Sequence, residues 1–175
     1  LILLQNALTR PGSPIGRLPL LTTAEENLIL HQWNDTAVDH PHHIRMERHF
    51  EDRVREHPNH IAVVFEGQSL TWSQLDQRAN QLARHLLQLG VTPETLVAVY
   101  IESCLDMMVA LIGVLKSGAA YLPVDPAYPE ARVTFMMQDA QAPVILTREG
   151  LVDKLPEHQA GVVRLDADWD QIVQH

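Results

Sequence analysis

Leu115-Lys116-Ser117-Gly118-Ala119-Ala120-Tyr121-Leu122-Pro123-Val124-Asp125-Pro126-Ala127-Tyr128-Pro129 is the stretch whose reading decides the fold. It follows an apolar run and precedes an amphipathic one. Gly118 falls where a helix end needs a residue that tolerates left-handed backbone. Tyr121, Leu122 and Val124 read as a short buried strand. Asp125-Pro126 and Tyr128-Pro129 punctuate its exit, because a residue before proline is pushed out of helical geometry. Pro129 suits the first position of a new helix, where its missing N–H costs nothing. Helix, glycine, strand, proline turn, helix is the core of an α/β layer.

Working outward toward the C-terminus, 130–140 carries Val133, Met136, Met137 and Ala140 at helical spacing. Residues 144–147 and 162–165 read as short strands. On the other side, 105–116 is an apolar helix and 96–101 a near-continuous apolar strand, the pattern of strands covered on both faces in parallel sheets. Strand and helix alternate at βαβ spacing, which predicts a mostly parallel sheet with right-handed crossovers and flanking helices.

Further upstream, Thr71-Trp72-Ser73-Gln74 fits a capping box. The helix it opens sets Leu75, Ala79, Leu82, Ala83 and Leu86 on one face, and Gly90 closes it. Residues 61–65 and 69–70 flank Glu66-Gly67-Gln68 as a hairpin. A helix over 46–57 places Phe50 and Val54 together, and Pro58 stops it. Thr22-Thr23-Ala24-Glu25 is another capping box, opening a short helix that runs to about Trp33, where Asn34-Asp35-Thr36 favours a turn. Pro11-Gly12-Ser13-Pro14 and Gly16 make a breaker-rich linker. Residues 1–10 read as the tail of an amphipathic helix. The first residue, Leu1, is not methionine, so the chain reads as a piece of a longer polypeptide.

Composition narrows the class. The 175 residues are 46% hydrophobic, enough for a core. Thirteen basic against 22 acidic residues give a net charge of −9. That excludes a basic nucleic-acid surface. The longest apolar run is far short of the ~20 residues that span a bilayer. One cysteine, Cys104, allows no internal disulfide and points to a reducing, cytoplasmic compartment.

The opening stretch resembles a signature of the adenylation domains of non-ribosomal peptide synthetases, Leu-Lys-Ala-Gly-x-Ala-Tyr-Leu/Val-Pro-Leu/Ile-Asp, with Ser117 in place of the alanine. Leu70-Thr71-Trp72-Ser73-Gln74-Leu75 is similar to an earlier motif of the same family, with Trp72 for a tyrosine and Gln74 for a glutamate. His49-Phe50-Glu51 resembles the first helix of that domain. Leu18-Pro19-Leu20-Leu21-Thr22 with Trp33-Asn34-Asp35-Thr36 resembles the linker that joins a condensation domain to an adenylation domain. The resemblance implies this organisation: 1–10, the end of an upstream condensation domain; 11–45, the linker; 46–175, the N-terminal portion of the adenylation domain. The sheet is then an incomplete part of the large adenylation subdomain.

The implied activity of the complete domain has two steps. An amino-acid carboxylate attacks the α-phosphate of ATP, with Mg²⁺, to give an aminoacyl adenylate. The acyl group then passes to the phosphopantetheine thiol of a carrier domain. The family's Thr-Ser-Gly-rich phosphate loop does not occur before His175, and its pocket residues and catalytic lysine lie later still. The chain alone is therefore expected to be inactive, and no residue in it is assigned to catalysis, cofactor or metal. Leu18, Leu21, Leu28 and Trp33 are assigned to an interface, because apolar residues in a linker without its own core need a surface to bury against. Implied partners are the condensation domain, the rest of the adenylation domain, the carrier domain and a small MbtH-like helper protein. Two alternatives remain: an acyl-CoA ligase-like member of the adenylate-forming enzymes, and a non-catalytic docking fragment.

Candidate reactive residues have plainer readings. Gly113 and Gly118 have phosphate-loop spacing, but Ala119-Ala120 follow where Lys-Ser/Thr is needed. His40, His42 and His43 lack a spaced ligand set and read as solvated. Cys104 has no histidine near it in sequence and reads as a small hydrophobe. Asp125 reads as turn chemistry, and Tyr121 and Tyr128 as packing. Lys116 suits the negative end of its helix, and Lys154 has no motif around it.

Overall fold

The computed structural model describes residues 1–39 and 45–174. The chain divides into two units, Leu1–His43 and Ile44–His175. The first holds α1 (Ile2–Thr9), a single 3₁₀ turn at Ile15–Arg17, and α2 (Thr23–Asn27). Thr22 caps α2 as expected: its hydroxyl accepts from Glu25 N at 3.2 Å, and the Glu25 carboxylate accepts from Thr22 N at 2.8 Å. The helix widens into a π-type turn over Leu28–Gln32. Asn34 ends it by donating from Nδ2 to the carbonyls of Ile29 (2.8 Å) and Leu30 (3.2 Å). Among the described residues of this unit only Leu18 is buried.

The second unit opens with α3 (Met46–Glu56) and the hairpin β1 (Ile61–Phe65) and β2 (Gln68–Thr71), paired antiparallel. Glu66 and Gly67 take φ of 47° and 78°, the left-handed pair that a two-residue hairpin turn requires. α4 (Trp72–Gln88) starts on the cap of Thr71 and Gln74 and buries Leu75, Ala79, Leu82, Ala83 and Leu86, the face its periodicity defines. β3 (Leu96–Tyr100), α5 (Leu105–Lys116), β4 (Ala120–Val124), α6 (Glu130–Ala140), β5 (Val144–Thr147), a 3₁₀ helix over Glu149–Lys154, β6 (Gly161–Arg164) and α7 (Trp169–Ile172) follow. The four later strands form one parallel sheet in the order β4-β3-β5-β6.

Strand alternation splits the core into two layers. Val97, Val99 and Ile101 of β3 and its exit, with Val144 and Leu146 of β5, face α4 and α5. Ala98, Tyr100 and Ile145 face Val133 and Met137 of α6 and Leu151 of the 3₁₀ helix. α4 and α5 approach closely because Gly113 has no side chain. A Cβ there would lie 2.8 Å from Leu82 Cδ2.

The structure corrects the sequence reading in two places. β4 is not a buried strand. It lies at the sheet edge, where only Val124 is buried and Tyr121 is 38% exposed. Pro123 fits an edge position, since it has no N–H for a further ladder. Pro129 stands one residue ahead of α6 as its N-cap, with ψ of 138°, rather than as its first helical residue. Gly118 does turn left-handed, with φ of 82°. Ser117 is buried, and its Oγ donates to Val114 O at 2.7 Å, so a hydroxyl takes the alanine place without an orphaned polar group.

Candidate functional site

The carboxyl ends of parallel strands are where α/β proteins gather ligands. Here β3 leaves into Glu102-Ser103-Cys104, β5 into Arg148 and β6 into Asp166. A cavity of about 550 Å³ opens among them, lined by Phe65, Glu102, Cys104, Arg148, Lys154 and Asp166. Burial, helped by the charges of Glu102 and Asp125, raises the Tyr100 phenol above its ordinary value, and its hydroxyl points to Lys154 O at 3.4 Å.

The arginines around this edge are already matched with carboxylates. Arg148 Nε lies 3.6 Å from Asp106 and 3.5 Å from Asp166. Arg78 donates to Asp106 at 2.9 Å and stacks 4.3 Å from the Trp169 ring. Arg164 holds Glu149 at 2.7 Å and clasps Asp168 through its side chain and backbone N–H. That arginine draws the Asp168 carboxyl below its usual range, and the two carboxylates raise the arginine. These pairs tie loops to helices, so an incoming phosphate would have to displace a carboxylate from each. Gly113 lies inside α5 against Leu82, with no loop for a phosphate. Among the described residues no group of three His, Cys, Asp or Glu is placed to hold a metal ion. His40, His42 and His43 lie outside the described residues.

Individual candidates fall where local chemistry puts them. Asp125 Oδ1 accepts from Ala127 N at 2.8 Å, an Asx turn that fixes the exit of β4. Tyr128 lies 4.2 Å under the Arg132 guanidinium. Cys104 is half-buried at the N-cap of α5 and makes no capping bond. A larger basin of about 760 Å³, lined by Met137, Gln141, Ile145, Glu157 and His158 among others, sits at the opposite, amino end of β5 and β6.

Of the interface residues, Leu18 is buried and Leu28 half-buried, while Leu21 is 41% and Trp33 66% exposed. The exposed set is larger than the sequence alone indicates. Leu4, Leu8, Ile15, Leu20, Leu30 and Val38 also present apolar surface. The i, i+4 spacing of Leu4 and Leu8 is the signal that points to one apolar face of α1. Lys116 also has more partners than its helix position suggests. Its side chain is 7% exposed, 3.0 Å from Asp76 and 3.2 Å from Glu51.

Comparison with known proteins places this architecture. The model of the AMP-binding enzyme family matches residues 50–174, and the chain belongs to that family. Similar sequences include synthases of chondramide, gramicidin and bacitracin. Chondramide synthase of Chondromyces crocatus is 48% identical over 165 residues, 93% of this chain. A linear gramicidin synthase of Brevibacillus parabrevis is 42% identical over 172 residues, 98% of this chain. The chain spans 4% and 2% of the length of those two relatives. Among solved structures, the non-ribosomal peptide synthetase FmoA3 with AMPPNP bound superposes with a TM-score of 0.74 at 30% identity, over 96% of this chain and 18% of FmoA3. The N-terminal subdomain of Klebsiella oxytoca NpsA shares the fold, with a TM-score of 0.64 at 20% identity over 74% of this chain and 32% of its own. The motif resemblance to peptide-synthetase adenylation domains therefore holds over most of the chain.

Proposed function

We propose that the chain is the opening part of an adenylation domain whose complete form activates an amino acid with ATP and loads it onto a carrier-domain phosphopantetheine thiol. The observation that carries the reading is 48% identity to a peptide synthetase across 93% of the chain, on both sides of the unit boundary. An acyl-CoA ligase relationship would account for the second unit but not for similarity that runs through the linker. The work of these residues in the complete domain is structural: a parallel sheet whose carboxyl edge forms one wall, with ATP, Mg²⁺ and amino acid held by groups supplied later in the polypeptide.

The test is amino-acid-dependent ATP–pyrophosphate exchange, run on this chain and on the polypeptide extended downstream. The extended form exchanges with one or a few amino acids and this chain does not. Exchange by this chain alone, or an extended form that accepts only carboxylic acids with coenzyme A, overturns the reading.

The partner proposed for the first unit is the upstream condensation domain. Its apolar residues Leu21, Leu28 and Trp33 suit an apolar face of an adjoining condensation domain. Trp33→Glu in the multidomain protein weakens that contact, read as loss of cross-links between the two domains. Unchanged cross-linking removes the assignment. Whether an MbtH-like helper joins the complete protein is read out by co-expression: exchange that rises with it adds the helper as a partner, and unchanged exchange removes it.

A further inference from the structure

α3 is held to the second unit by very little. Seven of its eleven residues are charged, and only Phe50 is buried. Val54 adds a partly buried side chain. Its ion pairs are inward-looking. Arg48 meets Glu51 and Asp52, Arg53 meets Glu56 and Arg55 meets Asp52, all within the helix. Among the described residues one charged side chain reaches α3 from another element, and that is Lys116 at the last turn of α5. Its Nζ lies 3.2 Å from Glu51 Oε1 on α3, 3.0 Å from Asp76 Oδ1 on α4 and 5.6 Å from the centre of the Phe50 ring. Phe50 in turn tilts against Trp72 at 5.5 Å. The Asp76 contact is an ion pair without hydrogen-bond alignment, so Glu51 is the directed partner.

We propose that α3 is a strap that detaches as a unit, and that Lys116 is its clasp. A buried ammonium cannot give up one carboxylate without loss, so its grip on Glu51 is specific. The rest of α3 has too little apolar burial to keep an 11-residue helix docked or folded once that grip is gone. By contrast α4 buries five side chains and stays closed. Opening the strap releases the eleven residues of α3 and uncovers the aromatic seat of Phe50 and Trp72. The fold thus carries a low-stability segment at the entrance to its second unit, set by one charge contact between residues 65 positions apart.

Limited trypsin digestion of the full chain, mapped by mass spectrometry, tests this. Arg48, Arg53 and Arg55 lie on α3, and exposed Arg84 on α4 is the internal control. Lys116→Met raises cleavage at the α3 sites by about tenfold and leaves Arg84 unchanged. Glu51→Gln, on the half-exposed side of the clasp, raises α3 cleavage by about threefold in a core that keeps the Lys116–Asp76 pair. Equal acceleration at α3 and Arg84 in both variants, or unchanged α3 cleavage in both, overturns the proposal.

Discussion

α2 and α4 open on the same device. Thr22 with Glu25 and Thr71 with Gln74 each form a reciprocal cap, with side chain to backbone in both directions. Yet α2 runs five residues, buries nothing and widens into a π-type turn, whereas α4 runs seventeen and buries five side chains. A cap decides where a helix begins; an apolar face with something to pack against decides whether it continues. The same contrast holds for the units that contain them. The first has one buried residue among those described, while the second has a two-layer core around the four-stranded sheet.

Three measurements press on that contrast, the largest effect first. Leu82 is fully buried and sits against Gly113, so Leu82→Ala should cost about 2–5 kcal/mol in chemical denaturation. A cost under about 1 kcal/mol would mean the α4–α5 contact is not the centre of the second unit. Next come the two caps. Thr71→Ala should lower the stability of the main unfolding transition by about 1 kcal/mol. Thr22→Ala removes the corresponding bond, and a second one to the Glu25 carboxylate, from a helix without a core and should leave that transition where it was, with only a small loss of helical circular dichroism. If both variants shift the transition equally, the first unit is as cooperative as the second and the contrast fails. The smallest change is expected on removing the first unit altogether, because the second carries its own core.

Legibility in the sequence followed the range of the interactions. Both caps, the hairpin turn, the inward face of α4 and the left-handed Gly118 are settled within a few residues, and each could be read locally. The order β4-β3-β5-β6 could not, and so β4 read as buried when it is an edge. The 3₁₀ helix over Glu149–Lys154 has no periodic pattern, and only the packing of Leu151 on Tyr100 and Met137 reveals its role. Lys116 read as a dipole partner because its true partners, Asp76 and Glu51, lie 40 and 65 positions earlier. For the site, the motifs identified the family at once, but they mark the turns and helix starts of the fold. The arginine–carboxylate pairs at the sheet's carboxyl edge bring together residues from four separate stretches of chain, and apart from Arg164–Asp168 no local spacing announces them.

The most direct measurement is urea unfolding of residues 44–175 alone beside the whole chain. The account predicts one cooperative transition with a midpoint within about 0.5 M of the whole chain's. A chain that unfolds without cooperativity, or with a midpoint lower by more than about 1 M, would contradict it and make the first unit part of the core.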